Sequence, residues 1–234
     1  MKRLPYLFTS LIGRKFLAAV TGFILLSFLL LHAFGNLNSF AADTVDGVPA
    51  INAYADYLRS MATPLMPKSV LLWLIRIILI VAFVLHVFVV LSLAKTNRAA
   101  RPIAYHQTPQ KTASYAACWV LASGLIVLLF IIVHLSHFSF GVLTPFAFIE
   151  GDIYHNLASA FQSPFYVMFY LLALAALGFH LHHGIWSLTQ TLGLDNPDRN
   201  LMFRLLASLI TALLISLFAS IPLAFYFGLL AFHP

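Results

Sequence analysis

Five stretches, near residues 15–36, 69–94, 113–138, 164–191 and 201–231, stay apolar over the roughly 20 residues a helix needs to cross a bilayer. No other feature constrains the chain as strongly. Backbone that meets lipid has no water to bond, so a spanning segment is a helix or part of a closed barrel. These runs are continuous and lack the alternation of barrel strands. The expected fold class is an all-α membrane protein: a five-transmembrane-helix bundle, with residues 1–234 as a single domain. The first run also resembles a signal peptide, because Lys2 and Arg3 precede it and Ser39-Phe40-Ala41 loosely resembles a cleavage site. Its apolar part, Phe16 to Phe34, is too long for a signal h-region, so it is read as a retained span.

A formal charge of +6 invites a nucleic-acid reading. However, the basic residues lie in short loops between apolar runs, which is the pattern of membrane topology rather than of a DNA-binding face. Lys2, Arg3, Arg14, Lys15, Lys95, Arg98, Arg101, Lys111, Arg199 and Arg204 fall on one side. The other side has only Arg59 and Lys68, with Asp43, Asp46, Asp56, Glu150 and Asp152. The positive-inside rule then places the N-terminus in the cytoplasm and the C-terminus outside. The loop near 37–68 is external, and Asn52–Met61 within it is expected to form a short surface helix. Gly35-Asn36 reads as the end of the first helix, Pro222 as a kink in the fifth, and Arg101-Pro102 and Asn196-Pro197 as turns. Cys118 is the only cysteine, which excludes internal disulfides, iron–sulfur clusters and CxxCH haem attachment.

Ten histidines are present, and His32, His86, His134 and His180 each lie deep in a separate span. An ionisable side chain in lipid is costly by a few kcal/mol and needs a partner. A helix-to-helix hydrogen bond, worth about 0.6 kcal/mol, accounts for one such histidine but poorly for four. His86 and His180 lie about 12 and 16 Å from the inner ends of their runs, and His32 and His134 about 25–30 Å from theirs. That arithmetic gives an outer layer and an inner layer of two histidines each. There is also an internal repeat: Thr21-Gly22 and Ser123-Gly124 each precede a histidine, His32 and His134, by the same spacing. The two outward-running helices therefore do the same job at the same depth.

Two imidazoles from facing helices fill both axial positions of a haem iron, which leaves no open site and suits electron transfer. Zinc or copper would gather three or four ligands in one place. Two haem b groups are expected, the outer on His32 and His134, the inner on His86 and His180. Gly22, Gly124, Gly178 and Gly184 would make room for flat macrocycles. His182 and His183 leave the fourth ligand open on spacing alone, and depth favours His180. His137 is read at the outer surface, with a rival ligand, a propionate partner or a quinone contact as sharper alternatives. His106, His155 and His233 read as loop or terminal residues. Arg76 inside the second helix either snorkels outward or meets a haem propionate. Arg14 and Lys15 are propionate candidates for the inner haem as well as topological anchors.

Several motifs together resemble the di-haem cytochrome b membrane-anchor subunit of bacterial succinate dehydrogenases and fumarate reductases. They are Gly13-Arg14-Lys15 with Thr21-Gly22 and His32, then His86 followed by Asn97-Arg98-Ala99-Ala100-Arg101-Pro102. Gly124 with His134-Leu135 follows, then Phe179-His180 with Gly184, Trp186 and Thr191-Leu192-Gly193. The resemblance covers essentially the whole chain. It implies a multi-pass subunit of the bacterial inner (cytoplasmic) membrane, within succinate:quinone oxidoreductase of the respiratory chain and the tricarboxylic acid cycle. Its partners would be a flavoprotein subunit and an iron–sulfur subunit. The chain would supply electron transfer and quinone binding, most often of menaquinone, and not the dicarboxylate chemistry. Tyr54 and Asp56 of the external loop are candidates for proton handling at the quinone site. Some fumarate reductases of this type carry a membrane glutamate two residues before the fourth-helix ligand, and here that position is Gly178. A proton path relying on that carboxylate is in doubt. A cytochrome b subunit of a hydrogenase or formate dehydrogenase shares the two haems and remains the alternative. A transporter is disfavoured, because no central polar cluster is evident.

Overall fold

Each of the five apolar runs forms one long helix in a computed structural model, which describes residues 4–100, 115–144 and 148–230. All regular structure among the described residues is helical. A short α1 (Leu4–Thr9) leads into α2 (Leu11–Leu37). The hydroxyl of Ser10 caps α2 by accepting from the Gly13 N–H at 3.0 Å, satisfying one donor that the first turn leaves free. Then follow α3 (Ala50–Ser60), α4 (Val70–Ala99), α5 (Tyr115–Phe138), α6 (Ile153–Phe161), α7 (Pro164–Thr191) and α8 (Asn200–Tyr226). The Arg101-Pro102 turn, Lys2, Arg3, His106, Lys111 and His233 lie outside the described residues.

Three boundaries differ from expectation for identifiable reasons. Gly35-Asn36 does not end the first helix, which runs on to Leu37 and a short 3-10 turn at Asn38–Phe40. Gly35 is instead a contact point, where an added Cβ would lie 3.0 Å from the Tyr54 ring of α3. α8 stops at Tyr226, although the apolar run continues. Gly228 adopts φ +71°, and the Leu229 N–H reaches the Ala224 carbonyl at 2.8 Å while Gly228 N–H reaches Phe225 at 3.2 Å. That is a Schellman closure, which glycine permits at no steric cost. Gly193 closes α7 in the same way. The third difference is α4, which outlasts its apolar stretch because Lys95–Ala99 carry on as a polar final turn.

α7 is the hub. It packs against α5, α8 and α2, while α2 also packs against α4 and α8. One apolar cluster joins Ala33 of α2 with Leu174, Leu177 and Leu181 of α7 and Leu214 of α8. A second lies at one end, where α3 and α6 fold over the bundle: Ile51, Leu157 and Phe161 pack on Tyr170 and Phe225. We refer to this as the capped end. On α4, Trp73, Ile77, Ile80, Val84 and Phe88 form an exposed stripe at helical spacing. Apolar exposure on this scale is foreign to a water-soluble monomer and fits lipid contact.

Candidate functional site

The four deep histidines come together as two pairs. His32 of α2 faces His134 of α5, with ring centres 6.1 Å apart and planes at 84°. His86 of α4 faces His180 of α7 at 6.4 Å and 76°. The helices that each pair links, α2 with α5 and α4 with α7, are not close-packed neighbours, so the rings meet across a gap in the bundle.

The internal repeat explains how the pairs are seated. Gly22 lies against His86, where an added Cβ would be 3.3 Å from Cε1, and Gly124 lies against His180 at 3.0 Å. Each Thr-Gly or Ser-Gly step therefore cradles a ring of one pair, and the same helix carries its own histidine ten residues on, in the other pair. At 1.5 Å per residue the layers are about 15 Å apart.

Hydrogen bonds fix the ring states in the inner layer, the one remote from the cap. The Thr21 hydroxyl gives its one proton to the Leu17 carbonyl at 2.7 Å. It must therefore accept from His86 Nδ1–H, 3.1 Å away. His180 Nδ1 lies 3.3 Å from the Val120 carbonyl, which can only accept. Both inner rings thus carry the proton on Nδ1 and present a bare Nε2. In the outer layer, the Tyr170 hydroxyl lies 3.4 Å from His134 Nδ1 and 3.1 Å from His137 Nδ1. His32 is held by rings, stacked on Phe28 at 5.3 Å and beside Phe218 at 5.7 Å.

The spacing separates a direct ring-to-ring hydrogen bond from two wider arrangements, edge-to-face packing of the rings and an ion held between them. A direct ring-to-ring hydrogen bond sets imidazole centres about 5.2 Å apart. Two bonds of about 2 Å to one ion between the rings set them about 6.3 Å apart. Both pairs match the second figure, and neither is joined by a ring-to-ring hydrogen bond. Among the described residues no three histidine, cysteine or carboxylate side chains converge on one point. Among the described residues the donor set is therefore two imidazoles per layer, a set that fits a haem iron.

The remaining candidates scatter. Of the three histidines near the end of α7, His182 turns to Ser208 of α8 at 3.1 Å. His183 has its Nδ1 buried without a partner, and His180 meets His86 of α4. Arg76 is exposed on α4, its guanidinium 4.9 Å over the Trp73 ring and away from the pairs. Arg14 reaches α4, bonding Ser92 Oγ at 2.7 Å and Thr96 Oγ1 at 3.0 Å, with its Nε buried and unpartnered. Lys15 is exposed. Tyr54 packs on Gly35, one turn from His32. Asp56 points outward, paired with Arg59 at 2.6 Å. His155 is not a loop residue but lies in the first turn of α6, where its backbone N–H donates to Asp152 at 2.9 Å. Gly178 meets Ile215 of α8, whereas Gly184 faces open space.

His137 is not a surface residue: it is 1% exposed, covered by Tyr166 and Phe138, and bonded to Tyr170. Tyr170 itself escaped the sequence reading. The available signal was a tyrosine inside a span, ten residues before His180 and hence level with the outer pair, whose hydroxyl must find a partner.

Fold and site define a class: a multi-pass helical membrane protein with two half-buried histidine pairs at two depths. No protein-family model, curated protein or solved structure matches the chain.

Proposed function

We propose that the chain is the di-haem b membrane anchor of a succinate dehydrogenase or fumarate reductase in a bacterial cytoplasmic membrane. It would pass electrons between a cytoplasmic iron–sulfur subunit, itself joined to a flavoprotein, and a membrane quinone such as menaquinone. The observation that carries this reading is the pair of imidazole separations, 6.1 and 6.4 Å, in two layers. Haem held by two imidazoles supplies one-electron exchange with no open coordination position. His32 and His134 would hold the outer group, His86 and His180 the inner one. Thr21 and Val120 orient the inner ligands, and Gly22 and Gly124 leave space for their rings. Arg14, half-buried with an unsatisfied Nε and no carboxylate partner, is placed to meet an anionic group beside the inner layer. In this reading the capped end faces outward, and Tyr54 offers a hydroxyl beside the outer layer for a quinone oxygen.

The test is a pyridine haemochrome assay with a reduced-minus-oxidised spectrum on the purified complex. Two low-spin haem b per chain are expected. One haem means that one pair is misassigned, and none overturns the proposal. His86→Ala and His180→Ala should each remove the same spectral component, and His32→Ala and His134→Ala the other. Covalent flavin in the co-purified partner supports the succinate/fumarate reading. A nickel or molybdenum partner would instead indicate the hydrogenase or formate dehydrogenase type of cytochrome b.

A further inference from the structure

The two layers differ in how their ligands are held. His86 and His180 donate to acceptors whose polarity is fixed: a hydroxyl already committed to Leu17, and a backbone carbonyl. His134 instead meets Tyr170, whose single hydroxyl sits between two Nδ1 atoms, those of His134 and His137. The hydroxyl can donate to only one of them. If it donated to His134, that ring would carry its proton on Nε2 and have no lone pair to offer there. If His134 donates to Tyr170, the Tyr170 proton goes to His137 Nδ1, and His134 Nε2 is bare.

The surroundings keep this arrangement in place. Tyr170 is 6% exposed and boxed by Phe130, Phe161 and Phe169, with ring centres 5.2–5.8 Å away. His137 is stacked on Phe138 at 4.2 Å. Among the described residues the three polar groups are hydrogen-bonded only to one another, and Tyr170 packs beneath the α3–α6 cap. Nothing in the two-histidine reading of the outer site requires a tyrosine and a third histidine, and burying them without mutual bonds would be costly.

We propose that Tyr170 is a positioning residue for the outer layer: with His137 as its acceptor, it holds His134 through Nδ1 and presents Nε2 for ligation. This rests on the haem reading above. A ligand imidazole that donates from Nδ1 is more basic at Nε2, which stabilises the oxidised metal. Removing the acceptor therefore raises the midpoint potential of the outer haem alone.

The experiment compares the wild-type complex with Tyr170→Phe by redox titration and by the low-spin electron paramagnetic resonance signals, after counting haem. The expected result is two haems per chain, an upward potential shift and altered g-values for one component, and an unchanged second component. Selective loss of the outer component also supports the proposal. Two haems with both potentials and both signals unmoved overturn it while leaving the di-haem reading intact. A wild-type complex without haem b overturns both. If Tyr170→Phe fails to assemble, His137→Gln and His137→Leu decide. Gln keeps an acceptor for the Tyr170 hydroxyl and should restore the wild-type signature, whereas Leu should shift the outer component. Identical spectra for the two would overturn the proposal.

Discussion

An alanine methyl at position 124 would press on His180 at 3.0 Å from Cε1 and 3.2 Å from Nδ1, closer than an ordinary van der Waals contact. Replacing glycine by alanine in a helix stabilises it by up to about 1 kcal/mol. Overpacking a tight contact costs about 1–3 kcal/mol. The penalty falls on the His180 ring, because the opposing atoms are side chain rather than backbone. Gly124→Ala should therefore keep the bundle folded and specifically disturb the inner layer, which on the di-haem proposal lowers the haem b count toward half. Gly22→Ala, with 3.3 Å to His86, should do so more weakly. Equal haem retention in both variants and the wild type would contradict this account. The role of these glycines was partly legible in the sequence, since the matched Thr-Gly and Ser-Gly steps announced a shared task. That each step seats the ring of the other layer was not legible, because spacing along a helix gives depth but not which neighbour lies opposite. His137 was misread for a related reason. Hydropathy ends at Phe138, and a residue there looks superficial until Tyr166 and Tyr170 of α7 close over it.

At the level of elements, the long helices follow from lipid, but the cap follows from side-chain chemistry that hydropathy does not register. Asp152 begins α6 by accepting from the His155 N–H at 2.9 Å, and the same carboxylate accepts from Asn52 of α3 at 2.9 Å. Asn52 in turn accepts from the Tyr154 N–H at 3.0 Å. Two short helices that would be marginal alone are thus stitched together over the bundle end. α6 is not evident in the sequence because it is only nine residues long and no periodic run marks it, although Asp152 is a cap signal. Tyr154 ties this cap to α8, its ring 5.3 Å from Phe225. Burial and the nearby Asp43 carboxylate raise its phenol above the usual value of 10.0. The folded state therefore favours the neutral phenol. Its contribution to stability is complete below pH 10 and is lost as the pH rises through the higher folded value. Melting of the detergent-solubilised protein should fall above pH 10, and Tyr154→Phe should show a shallower fall. Parallel curves for the two proteins would show that Tyr154 does not link pH to the cap.

For the whole molecule, the open question is which way the bundle stands in its membrane. Five spans put the start of α2 and the end of α8 at opposite ends of the bundle, and the charge distribution ranks the two orientations. Arg14, Lys15, Lys95, Arg98, Arg199 and Arg204 gather at the uncapped end with Asp195 and Asp198, whereas the capped end holds Asp43, Asp46, Asp56, Glu150 and Asp152 with only Arg59 and Lys68. Basic residues near short loops resist translocation, so the uncapped end should remain cytoplasmic. The proposed function demands the same: an inner layer near the cytoplasmic face for a soluble electron donor or acceptor, and an outer layer beneath the cap for quinone. Because Cys118 is the only cysteine, a Cys118→Ser background allows single reporters. Asp46 and Asp198 are both exposed, the first before α3 and the second between α7 and α8. In intact cells Asp46→Cys should react with a membrane-impermeant maleimide, whereas Asp198→Cys should react only after permeabilisation. The reverse pattern would turn the bundle over, place the His86–His180 layer on the outside, and remove the cytoplasmic iron–sulfur partner from the proposal even if both haems are present.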